Sequence, residues 1–148
     1  MAYNPTNPNG QATMVNSQPV VLASDQSVIP VNVQSSAIGG DSIFHLVSAA
    51  TTNLTNIKAS AGKVTGWYVY NSNASARKLV FHNTAGTPTA GASVLYSIVI
   101  PGLAATNVSF PDGIDFTTGI AISTVTGLPD NDTAAVALND LIINIYYK

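Results

Sequence analysis

From Ser42 to Tyr147 the chain is a succession of short β-forming runs separated by turn residues, and this punctuation limits the fold more than any other feature. Eight candidate strands can be marked: Ser42–Ala49, Leu54–Ala59, Val64–Asn71, Arg77–Asn83, Ser93–Ile100, Thr106–Phe110, Gly119–Val125 and Val136–Tyr147. Between them stand breaks with recognisable turn chemistry: Ala61–Gly62, Ser72–Ser75, Ala85–Gly91 (AGTPTAG), Pro101–Gly102, Pro111–Gly113 (PDG) and Gly127–Thr133 (GLPDNDT). Pro presets φ, Gly accepts positive φ, and Asn and Asp bond their own backbone. In the last run Leu141, Ile143, Ile145 and Tyr147 face one way, and Ile142, Asn144, Tyr146 and Lys148 the other. In Ser93–Ile100, Val94, Tyr96, Ile98 and Ile100 oppose Leu95, Ser97 and Val99. Positions such as Ile142 and Val99 leave some strands apolar on both faces. That suits a sandwich whose outer face is partly covered by another subunit, or a crowded small domain.

Helices are disfavoured by what is missing. All seven acids are Asp, there is no Glu, and only 8% of residues are charged, against roughly a quarter in typical soluble proteins. The straight-chain residues that build helix surfaces give way to Ser, Thr, Asn, Gly, Val and Ile, which suit strands and turns. Many short strands about ten residues apart indicate an antiparallel sandwich or barrel. Eight of them point to a jelly roll in preference to a seven-stranded immunoglobulin-like sandwich. The expected fold is therefore all-β: one small jelly-roll-like sandwich over residues 41–148.

Residues 1–40 read differently. They hold one charge (Asp25), one aromatic (Tyr3) and four prolines (Pro5, Pro8, Pro19, Pro30). Solvated tails carry high net charge and low hydrophobicity. Here Pro19–Ala23 (PVVLA) and Val28–Val33 (VIPVNV) are apolar, β-prone and nearly uncharged. Exposed in water, such segments are sticky strands that call for a surface to lie on. The reading is an extended N-terminal arm, ended by the glycines of Ala37–Asp41 (AIGGD), with residues that dock a partner: Gln18, Pro19, Val20, Val21, Leu22, Val28, Ile29, Pro30, Val31 and Val33. Forty extended residues reach about 130 Å.

A net charge of −2 gives no basic footprint for nucleic acid. No run approaches the roughly 18 apolar residues of a membrane span. Met1–Gly10 lacks the basic start and apolar core of a signal peptide. The absence of Cys removes disulfides, zinc–thiolate sites and thiol nucleophiles. So little charge also favours association, since soluble monomers normally keep charge outside.

Groups for catalysis are sparse. His45 (SIFHLVS) and His82 (LVFHNT) lie in separate strands and read as structural unless the fold brings them together. Asp130–Asn131–Asp132 resembles a fragment of a calcium loop but lacks the bidentate Glu, and turn propensity explains it. Asp112 and Asp115 (FPDGIDF) read as a turn rather than a glycosidase pair. The N-x-S/T triplets at Asn53, Asn73, Asn107 and Asn131 are expected by chance in a chain of this composition. Trp67, Tyr68 and Tyr70 (GWYVY) admit a sugar-stacking surface; the preferred reading puts Trp67 in the core and the tyrosines on the opposite face. The expectation is no enzyme, no cofactor and no metal.

Asn9–Val31 (NGQATMVNSQPVVLASDQSVIPV) resembles a segment found near the N-termini of structural proteins of tailed bacteriophages. Leu54–Tyr70 (LTNIKASAGKVTGWYVY), Ser75–Asn83 (SARKLVFHN) and Asp115–Tyr147, with FTTGIAIS and LNDLIINIYY, carry matching phrases. One arm and one small β-domain look like a capsid cement (decoration) protein. That resemblance implies synthesis in the host cytoplasm and a place on the outer capsid surface of the virion. It implies the major capsid protein and copies of itself, as a homotrimer, as partners. A neck, head-fibre or tail structural protein is the alternative, and a carbohydrate-binding host-recognition module a further one.

Overall fold

Within residues 40–148 the first four strands pair with the last four in reverse order. The computed structural model describes residues 40–148, so the arm residues Gln18–Val33 lie outside it. The strands are β1 (Ser42–Val47), β2 (Thr55–Lys58), β3 (Gly62–Asn71), β4 (Arg77–Asn83), β5 (Tyr96–Ile100), β6 (Ala104–Phe116), β7 (Ile120–Val125) and β8 (Leu141–Tyr147). β1 pairs with β8, β2 with β7, β3 with β6 and β4 with β5, all antiparallel. This is one long ribbon folded at β4–β5. Rolling it up adds the pairs β3–β8 and β4–β7. Two four-stranded sheets result, β1-β8-β3-β6 and β2-β7-β4-β5. The described fold is all-β, an eight-stranded jelly roll.

Period-two alternation fills the space between the sheets. Val64, Trp67, Val69, Leu141, Ile143 and Ile145 come from one sheet; Leu79, Phe81, Ile98, Ile100, Ile120 and Ile122 from the other. Trp67 sits at the centre, with ring centroids 5.8 Å from Phe81, 5.7 Å from Tyr96 and 5.3 Å from Phe110. These tilted contacts lie within the range aromatic pairs favour.

Three stretches differ from the sequence reading. PDG does not end a strand: β6 runs on to Phe116, with Pro111–Gly113 inside an irregularity where only Thr65 separates Val64, opposite Ile114, from Gly66, opposite Ser109. Pro111 has no N–H to leave unpaired, and Gly113 takes φ 73° there. β5 begins at Tyr96 rather than Ser93, because Gly91 (φ 75°) and Ser93 (φ 51°) arch the preceding backbone. β8 begins at Leu141 rather than Val136, because Asn139 (φ 63°) turns the chain just before it. Val136 still reaches the core, from a loop.

The outer sides of the sheets are unlike. On β4 and β7 even the residues facing away from the core are buried: Lys78, Val80, His82, Ala121, Ser123 and Val125. The β4–β5 and β7–β8 loops cover them. Leu95 N donates to Phe81 O, Thr126 N to Ala134 O, and Lys78 Nζ to Leu128 O. The other sheet has no such cover among the described residues.

Candidate interaction surface

The register places the outward side chains of β1, β8, β3 and β6 in rows. Ile43, Tyr146, Gly66 and Ser109 form one row; His45, Asn144, Tyr68 and Asn107 the next; Val47, Ile142, Tyr70 and Ala105 the third. Ile43 is 65% exposed, Val47 43% and Tyr68 42%. Gly66 is required where it stands, since a Cβ would come within 2.6 Å of the Val108 carbonyl oxygen. The result is a patch of Ile, Val and Tyr with His45, Asn and Ser between them. Single exposed apolar residues need no explanation, but a contiguous patch marks an interaction surface.

Charge is confined to one end of this face. Lys148 meets Asp41 at 3.4 Å and Lys63 meets Asp115 at 3.1 Å, where β1 and β3 begin and β8 ends. Thr65 Oγ1 donates to Asp41 Oδ2 at 2.5 Å, and this bond, together with Lys148, holds the Asp41 carboxyl below its usual value. Each cation has an anion of the same chain beside it. An apolar centre with a polar margin is the usual build of a protein–protein contact.

The groups singled out for chemistry are used structurally. His45 Nδ1 donates to Asn144 Oδ1 at 2.9 Å on the exposed face. His82 Nε2 shares a 2.9 Å hydrogen bond with Ser123 Oγ beneath the β4–β5 loop. The two imidazoles thus lie on the outer sides of different sheets and do not meet. Asp130 pairs with the buried Lys78, which holds its carboxyl below the usual range, and Asp132 Oδ2 accepts from Gly127 N at 2.7 Å. Asp115 pairs with Lys63, and the Asp112 carbonyl accepts from the same lysine at 3.1 Å. No group of three or more His, Cys, Asp or Glu stands together among the described residues. Trp67 is 4% exposed and offers no stacking platform, while Tyr68 and Tyr70 face outward.

Sequence reasoning singled out Tyr68 and Tyr70 and marked Ile142 as an apolar residue on an outer face, but not Ile43 and Val47. Ile43 and Val47 join them only through the β1–β8–β3 register, which no local pattern reveals. A cleft of about 350 Å³ beside His82, lined by Thr84, Thr87, Pro88 and Thr89, is a second concavity. His82 is 1% exposed at its floor, so little of the imidazole reaches a ligand there. No family model, curated protein or solved structure matches the chain.

Proposed function

We propose that this chain is a non-enzymatic cement (decoration) protein of a tailed-bacteriophage head, which stabilises the shell from its outer surface. The observation that carries the reading is the Tyr-bearing face of the β1-β8-β3-β6 sheet, whose only flanking lysines, Lys63 and Lys148, are paired with aspartates of the same chain. Such a face is suited to being covered by protein. The phage-like phrases over nearly the whole chain supply the kind of assembly it would join.

Under this reading the uncharged segments Gln18–Leu22 and Val28–Val33 add strands to exposed sheet edges of the major capsid protein, gaining backbone hydrogen bonds and apolar burial. Several arms on one oligomer would reinforce modest single-arm affinity through effective concentration. The role is mechanical, against the pressure of packaged DNA. Neither nucleic acid, membrane nor cofactor is a partner.

Co-sedimentation with heads stripped of the protein tests this. Full-length chain should bind to saturation, and a chain lacking residues 1–33 should remain in the supernatant with its fold retained. Full decoration by the truncated chain would contradict the arm.

A further inference from the structure

We propose that the outer face of the β1-β8-β3-β6 sheet is where copies of this chain associate with one another. The inference deepens the reading above without depending on it: copies would join through this face whatever larger body they decorate.

The rows around Tyr68 hold no Asp, Glu, Lys or Arg, and their one imidazole, His45, is bonded to Asn144 at 2.9 Å. Ile43, Val47, Tyr70, Ile142 and Tyr146 surround it, with Asn107 and Asn144 as the polar neighbours. A strongly charged partner would lose hydration on this face and find no counter-charge to restore it. The occupant must therefore be a surface with little charge of its own, able to exchange hydrogen bonds with amides and phenols. A second copy of the same face meets both conditions. Tyr hydroxyls donate and accept, and Asn side chains do both as well.

Charge complementarity at the margin points the same way. Asp41–Lys148 and Asp115–Lys63 present both signs side by side, so two copies can oppose lysine to aspartate in either orientation. The whole chain carries only −2, too little to keep copies apart by repulsion. The other sheet is not equivalent, because loops already cover its two central strands, β4 and β7, and leave only edge positions such as Val99 open. Closed symmetric association would remove this face from water and leave none open to aggregation.

The test is the mass of the full-length protein in solution, by light scattering on a sizing column over a range of concentrations. The wild type should run as a defined multiple of 15.2 kDa. A double variant, Ile43→Asp with Tyr68→Asp, should weaken association by about 100-fold or more, as expected for like charges forced into a desolvated contact. Val99→Asp, an equally exposed change on β5 of the other sheet, should leave the mass unchanged. Should the double variant lose its β-sheet circular dichroism, Asn107→Arg places a charge at an exposed polar position of the same face and is read instead. A wild type that stays monomeric at high micromolar concentration would overturn the proposal. So would folded face variants of unchanged mass. A monomeric wild type whose face variants fail to bind phage heads would reassign this face to the shell, again overturning self-association while leaving the cement reading intact.

Discussion

Arg77 Nε donates to Asp140 Oδ2 at 2.6 Å, and the pair fastens one sheet of the sandwich to the other. Arg77 opens β4, and Asp140 immediately precedes β8 in the opposite sheet. Both side chains are nearly sealed from water, at 11% and 7% exposure. Asn73 Nδ2 donates to Oδ1 at 3.1 Å and Ala137 N to Oδ2 at 3.0 Å, so the carboxylate is ringed by donors. Burial alone would raise its pKa. The Ala137 N–H, the Arg77 guanidinium and the Asn73 amide outweigh that and hold it below the usual carboxylate range. Asp140→Ala should cost about 3 kcal/mol, because it strands the guanidinium in a buried setting. With a folded pKa below the unfolded one, the stabilisation is complete above the ordinary carboxylate range and is lost as pH falls through the folded value. Urea unfolding of wild type and Asp140→Ala should converge as the solution is acidified below about pH 4.

A second pH dependence lies nearer neutrality. Burial beneath the β4–β5 loop holds the His82 imidazole below its ordinary pKa, against an opposing pull from the Ala92 and Ser93 backbone. The unfolded chain takes up the proton first. Stability should therefore decline as pH falls from about 6.5 toward the lower folded value. His82→Gln removes the titration while keeping a group able to bond Ser123. Its melting temperature should vary less than that of wild type between about pH 7 and pH 5, and equal slopes would contradict the assignment.

Trp67 reports on the core directly, as the one tryptophan of the chain. Its emission should be blue-shifted in the native state and move to the red in one step with unfolding. Trp67→Ala should cost about 3–5 kcal/mol and shift every unfolding probe together. Trp67→Phe should cost much less. The indole Nε1 finds no acceptor among the described residues, so no hydrogen bond is lost with it. A Trp67→Ala protein as stable as wild type would place the indole outside the core.

Gly102 is fixed by close approach rather than by a special φ. A Cβ at this position would run into the Ala74 carbonyl, beside the point where Leu103 N donates to Asn73 O at 2.9 Å. Asn71 Nδ2 holds the same corner by donating to the carbonyls of Ser75, Ile100 and Pro101. Gly102→Ala should destabilise by about 2–3 kcal/mol through overpacking. Gly86→Ala, with open space around it, should stay within about 0.5 kcal/mol of wild type in the same urea titration.

All eight strands were legible in the sequence, and Arg77–Asn83 was legible residue for residue. Their patterns are local: period-two alternation bounded by Gly, Pro, Asn and Asp. The bulge in β6 was not, because Pro-Asp-Gly serves a turn and a bulge with the same chemistry. The late start of β8 is signalled by Asn139–Asp140, but an apolar Val136 extends the apparent strand back across them. Lys78 illustrates the deeper limit. A lysine in a strand reads as solvent-facing, yet this one is buried because a loop 50 residues away folds over it and brings the Leu128 carbonyl and Asp130. The candidate face was half legible for the same reason. Tyr68 and Tyr70 announce themselves in GWYVY and Ile142 in the alternation of the last strand, whereas Ile43 and Val47 join them through the β1–β8 pairing, which sets His45 against Asn144, 99 residues along the chain.

The cement reading stands or falls on copy number. Quantitative mass spectrometry of purified virions, referenced to the major capsid protein, measures it directly. The account predicts copies comparable with the capsid protein, hundreds per particle and distributed over the shell. A count near six or twelve would contradict it and move the chain to the neck or tail.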